Sequence, residues 1–256
     1  MSFLSLIGIE FKKIRRSKIM IIFVLAVIML WLPSIINADL NFKMDDIGIS
    51  PEHNMFIQGF MGMAWFMFPA SMVVATVLLT QTERSNQGII KMLSLPVSTA
   101  QLCIAKFIVL IILGAIQMLM ATAMYYICIA IASHTQNYDF FLSPWFVLKE
   151  VGIIWVVSIP MMAVFWLLSV WIRTPIFSVG IGLASIVPSV ILIATKVWFA
   201  YPSCYPFFII AVEYGKLATN FHAPEFSYFP WVPVAILITI LCLTLSCLGY
   251  GRKERR

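Results

Sequence analysis

The sequence predicts an all-α integral membrane protein with six transmembrane helices, and three observations carry that reading. Of the 256 residues, 62% are hydrophobic and 11% charged, against roughly 25% charged in an average soluble domain. Charged residues delimit six uncharged runs, 19–38, 54–82, 107–138, 151–172, 174–195 and 226–251. Each exceeds or reaches the ~20 residues that cross a ~30 Å hydrocarbon core. The basic residues are also asymmetric. With both termini in the cytoplasm, 13 of the 17 lysines and arginines fall inside, and only Lys43, Lys149, Lys196 and Lys216 fall outside. That is the positive-inside pattern of a multi-pass chain. The acidic residues run the other way, with only Glu10, Glu83 and Glu254 inside. The whole length, 1–256, therefore reads as a single transmembrane domain.

Residues 1–18 are basic and lead into a run of spanning length without a small-residue cleavage site, so they are not read as a cleaved signal. Phe3, Leu4, Ile7, Phe11 and Ile14 recur at helical spacing beside Lys12, Lys13, Arg15 and Arg16. The pattern predicts an amphipathic helix on the inner membrane surface. Span one covers about 19–36, with Trp31 as an anchor near its outer end. The outer loop 37–55 carries Asp39, Asp45, Asp46 and Glu52 against one lysine. It reads as a solvated loop that would also attract a cationic peptide. Glu52-His53 has no further metal ligand at helical spacing.

Span two covers about 55–80. Its Gly59, Gly62 and Ala64 allow close helix approach, and Pro69 predicts a kink. Met55, Met61, Met63 and Met67 suit helix packing; a soft cavity for an apolar cargo is the alternative. Span three covers about 99–132, with Lys106 expected to snorkel to the inner interface. Ser143-Pro144-Trp145 starts span four with proline in the first turn. Trp171-Ile-Arg-Thr-Pro175 is a short inner turn, after which Pro175 opens span five. Pro160 and Pro188 lie within spans four and five, so the carbonyls they free must find other partners. The stretch 196–229 is too apolar for a solvated loop and is broken by Pro202, Pro206 and Pro224. It predicts two short outer helices that dip into the membrane before span six, about 230–250. Glu213, Tyr214 and Lys216 there are ionisable or polar groups amid apolar neighbours, which makes them candidates for cargo contact. The basic tail from Arg252 is an inner stop signal that would also meet anionic lipid.

Between spans two and three lies a short polar island, 83–98. Glu83 and Arg84 open it, and Gly88 ends the preceding helix. Ile89–Leu95 reads as about two helical turns, roughly 10 Å long, presenting Ile90, Leu93 and Leu95 with Lys91 beside them. Pro96 stops it. Ser98 and Gln101 have capping-box spacing and start span three.

Glu83-Arg84 before Gly88-Ile-Ile-Lys-Met-Leu93, then Leu95-Pro-Val-Ser98 and Lys106, resembles the first cytoplasmic loop of ABC-2-type transporter permeases. Within that family the chain is most similar to permeases that protect bacteria from lantibiotics and related peptide antibiotics. The resemblance implies a type V exporter fold with an N-terminal surface helix, a cytoplasmic coupling helix and re-entrant outer helices before the last span. It implies that Glu83, Arg84, Gly88, Ile90, Lys91, Leu93, Leu95 and Pro96 seat on a separate ABC ATPase, present in two copies, beside a second permease that is either a copy or a paralogue. The location would be the bacterial plasma membrane, with both termini cytoplasmic. Cargo would be a lantibiotic or similar cationic peptide; polysaccharide, lipid or another drug, or a scaffold or sensor that transports nothing, are the alternatives.

Several function classes are disfavoured by what the residues lack. No G-x-x-x-x-G-K-[ST] occurs, so the chain is not expected to be an ATPase: ATP would be bound by the partner and no cofactor held directly. His53, His134 and His222 all fall outside, which leaves no serine–histidine–acid set at one depth. None of the six runs holds a mid-span charge of the kind ion-coupled carriers use. The net charge of +6 sits at helix ends and not on a soluble face, so no nucleic-acid partner is expected. Cys103, Cys128, Cys204, Cys242 and Cys247 show no disulfide or metal spacing.

Overall fold

Helices long and apolar enough to cross a membrane run over Ile19–Ile36, Pro51–Gln81, Thr99–Gln136, Pro144–Trp171, Pro175–Leu192 and Trp231–Gly249. They are spans one to six. The computed structural model describes residues 3–14, 17–43, 48–84, 98–220 and 226–250, among which every regular element is helical. An additional N-terminal helix covers Phe3–Ile14.

The spans are antiparallel in alternation, and side chains from their ends prove it. At one end, the N-terminal helix meets the start of span three through Glu10 and Lys106. There too Gln81 and Arg173 line one cavity, and Trp171 Nε1 donates to the Leu245 carbonyl at 3.3 Å. At the opposite end, the Tyr138 hydroxyl donates to Glu52 at 2.6 Å. The Asn54 amide donates to Asn41 at 2.8 Å, and the His53 and Phe146 rings meet edge to face. The first of these ends is the one the positive-inside pattern assigns to the cytoplasm, and it is called the basic end below.

Apolar residues cover these helices on nearly every side, so no amphipathic stripe sets their packing. Small residues do so instead, by letting backbones approach. A Cβ added to Gly59 would sit 2.4 Å from the Trp31 ring. Trp31 is thus the centre of a buried aromatic cluster with Phe60 and Tyr125, not the interfacial anchor expected from its place near a span end. Gly182 admits Val73 in the same way, which seats span five against span two. Span three runs through the middle and touches the N-terminal helix and spans one, two, four and six.

Proline positions shape the rest. Span two is expected to kink at Pro69; in the structure a π-helical segment, Met63–Met67, comes just before it. Pro69 donates no backbone hydrogen bond and its ring crowds the carbonyl four residues earlier, and a widened turn at that point absorbs the misfit. Span four breaks at Ser158, ahead of Pro160, where the serine hydroxyl bonds the Ile154 carbonyl at 2.6 Å. Span five breaks ahead of Pro188.

The outer stretch differs from the expected pair of helices. It holds two single 3-10 turns, Trp198–Ala200 and Pro202–Cys204, and one α-helix, Tyr205–Leu217. Pro202 and Pro206 fall in first turns, where a missing N–H breaks no bond, so they start elements here and do not separate two long ones. This helix packs on the outer halves of spans two and four, and Phe207 lies 6.3 Å from Trp65 in the π segment, centroid to centroid. Residues 221–225 lie outside the described residues.

Candidate functional site at the basic end

The sequence places its main functional residues on the link between spans two and three. Glu83 and Arg84 complete the backbone of the last turn of Phe68–Arg84. Gly88, Ile90, Lys91, Leu93, Leu95 and Pro96 lie outside the described residues. On the far side of the link the chain resumes as expected. The Ser98 hydroxyl accepts the Gln101 N–H at 3.2 Å, and Gln101 Oε1 accepts the Ser98 N–H at 3.4 Å. This reciprocal cap satisfies two amides that a helix start leaves open. The link is therefore anchored at both ends by helices that belong to the middle of the bundle.

At the same end of the bundle, the N-terminal helix is turned from the orientation its pattern suggests. Leu6, Glu10 and Ile14 form its buried stripe, Ile7 and Phe11 are half-buried, and Phe3 and Leu4 are exposed. The stripe faces span three. A carboxylate in such a stripe needs a partner, because an unpaired buried charge is costly. Glu10 has two: the Lys13 ammonium at 2.6 Å and the Lys106 ammonium. Lys106 was expected to reach the interface, yet none of its surface is exposed. The reason is local. The N-terminal helix covers the patch of span three from which the lysine would have snorkelled, and a carboxylate lies closer than water.

Neither residue was singled out as part of a site from the sequence, although a signal was present. Glu10 is four residues after Leu6 and four before Ile14, which is the i, i+4 row of one helix face. Lys106 follows a capped helix start and precedes a long uncharged run. Two opposite charges, each set in an apolar row, are complementary.

A cavity of about 260 Å³ opens among the ends of spans two, four and five. Thr80, Gln81, Ser169, Arg173 and Ser178 give it a polar wall. The turn between spans four and five thus shares a space with the end of span two.

The outer candidates form a separate group. Glu213 accepts from Lys216 at 2.8 Å; the lysine side chain is 64% exposed and the carboxylate side chain 11%. The pair therefore lies at a water boundary, with Tyr214 buried beside it. The structure does not bring these three residues to the link. Farther along the same outer end, the hydrogen bond to Glu52, aided by burial, pushes the Tyr138 hydroxyl up to about 12. His53 Nδ1 lies 2.7 Å from Ser50 Oγ. Among the described residues no three His, Cys, Asp or Glu side chains converge as a metal site, and all five cysteines are free thiols.

Comparison with known proteins gives one match. The model of a family described as ABC-2 family transporter protein covers residues 6–189, which takes in most of the N-terminal helix, spans one to four, the link and most of span five. No curated protein and no solved structure matches the chain.

Proposed function

The chain belongs to the ABC-2 family of transporter proteins, and from that premise we propose that it is the membrane subunit of an exporter driven by a separate ABC ATPase. The observation that supports this reading is where the two helices flanking the link 83–98 end and begin. The described helix ends on either side of it lie at the basic end, where span three packs on the N-terminal helix and Gln81 of span two shares a cavity with Arg173 of the four–five turn. In the proposed cycle, two ATPase domains close on ATP and push on the link. Leu93 and Leu95 fill an apolar groove on the ATPase, while Glu83, Arg84 and Lys91 form the polar rim. Apolar anchors ringed by polar residues are the usual anatomy of a specific protein contact. Spans two and three then shift as a unit within a bundle whose packed side chains transmit displacement.

The cargo we propose is a cationic, membrane-active peptide antibiotic, expelled by this permease and a second one to protect the cell. The amphipathic outer face supports it: the acidic loop after span one, and Glu213 and Tyr214 on a helix that reaches inward to Trp65. The test is Leu93→Asp. It places a charge where the ATPase groove is apolar, and peptide resistance is expected to vanish while membrane insertion stays normal. Wild-type resistance in that variant would remove the coupling role from the link. A deletion strain with unchanged peptide susceptibility but altered surface glycans or lipids would move the cargo to those classes.

A further inference from the structure

We infer that the buried Glu10–Lys106 pair is a positioning device: it locks the N-terminal helix to the base of span three, so that both move as one body when the link is pushed. The inference rests on the coupling role proposed above and names residues outside the link that the role requires.

The argument starts from where the pair sits. Lys106 lies eight residues past the Ser98 cap, about 12 Å up span three. It is the first charged side chain the span carries after the link, and it is fully buried. Its carboxylate partner lies 96 residues away in sequence, on a helix whose principal packing partner is span three. Displacing the start of span three must therefore either carry the N-terminal helix along or separate two charges within an apolar surround.

The second step asks why charges stand there at all. Leu6 and Ile14 already give the helix an apolar stripe, and an apolar pair at 10 and 106 would hold it at least as firmly, because desolvating two ions offsets most of their attraction. What an apolar pair lacks is register. Leucine and isoleucine side chains on two smooth helices tolerate sliding by a fraction of a turn. A carboxylate and an ammonium in a low-dielectric setting do not, since sliding pulls apart a short, directional charge pair within an apolar surround. Lys13 adds a second donor to the same carboxylate from its own helix, which aims Glu10 toward span three. The N-terminal helix ends at Ile14, whose carbonyl accepts the Ser17 N–H at 2.8 Å, and span one starts at Ile19. The lock thus ties the start of span one to the motion of span three at the end where the ATPase would act.

Double electron–electron resonance on the complete permease–ATPase complex tests this. Spin labels go on Gly8→Cys, whose added Cβ meets nothing within 4 Å, and on Ile104→Cys, which is exposed on span three. The expected result for the otherwise native protein is one narrow distance, the same without nucleotide and when trapped with ATP and vanadate. Lys106→Met is expected to stay narrow without nucleotide and to broaden at least about twofold in width when trapped, as uncoupled states become populated. The swap of Glu10→Lys with Lys106→Glu should return the narrow distance. If Lys106→Met fails to insert, Glu10→Gln carries the same expectation. A distance that changes on trapping in the native pairing would overturn the inference. So would a double apolar variant, Glu10→Met with Lys106→Leu, that remains narrow when trapped, because packing alone would then suffice. Failure of the underlying reading looks different: no ATPase accompanies the native chain, and there is no trapped state to measure.

Discussion

Spans two, three and four differ from spans one, five and six in how much of themselves they bury. The apolar 18-residue stretches of the first group are 61%, 61% and 50% buried; those of the second are 22%, 22% and 11%. All six are comparably apolar, so hydropathy does not separate the groups. Small residues and aromatic cavities do. Span two offers Gly59 to Trp31, and span three packs Tyr125, tilted, against the same ring. The outer helix closes on spans two and four. Spans five and six instead turn Ile176, Ile181 and Ile191, and Ile236, Ile240 and Leu241, outward. The lesson is mechanical. The link that resembles a coupling helix joins two members of the rigid group, so a push on it enters the packed centre. The less buried spans keep exposed apolar faces.

The sharpest way to break this contrast is at the ion pair. Glu10→Ala removes the carboxylate that faces a fully buried lysine and should cost about 3–5 kcal/mol, read as a loss of thermal stability in detergent with recovery in the charge swap. A fall within error of zero would mean that the N-terminal helix is only loosely attached. Next in size is one substitution made in both regions. Leu110→Ala, in the buried centre of span three, should cost about 2 kcal/mol or more. Leu241→Ala, half-exposed on span six, should stay within about 0.5 kcal/mol. Equal costs would abolish the distinction between the groups. Gly59→Val should cost about 1–3 kcal/mol by driving a side chain into Trp31, whereas Gly8→Val, with open space at its Cβ, should be close to silent in tertiary packing. An effect of opposite sign is expected at Gln117, fully buried on span three with neither amide atom hydrogen-bonded. Replacing an orphaned buried amide by a similar apolar side chain relieves a desolvation penalty, so Gln117→Leu should raise stability by up to about 1 kcal/mol. A destabilised Gln117→Leu would show that the amide is satisfied in the membrane.

Most of the architecture was readable from the chain because membrane burial writes itself into long stretches. Uncharged runs located the six spans, Pro144 and Pro175 marked the starts of spans four and five, and Ser98 with Gln101 marked the start of span three. What could not be read depends on which side of an apolar helix meets which neighbour. Trp31 sits where an anchor would sit, and only Gly59, 28 residues away, makes it a core residue. Glu10 and Lys106 each look like ordinary inner-surface charges until their separate helices are brought together. Pro69 announced a disturbance but not its form, since a kink and a π segment relieve the same clash. In the outer stretch, prolines that start elements look the same in sequence as prolines that end them.

The central claim is that the link between spans two and three is a cytosolic lever engaged by a separate ATPase. Cysteine cross-linking from Leu93→Cys in intact membranes tests it most directly. The account predicts a cross-linked product containing an ABC ATPase subunit, altered in yield when ATP and vanadate trap the complex, and no reaction of that cysteine with an impermeant maleimide added outside intact cells. Labelling from the outside, or a cross-link that never includes a nucleotide-hydrolysing protein, would contradict it.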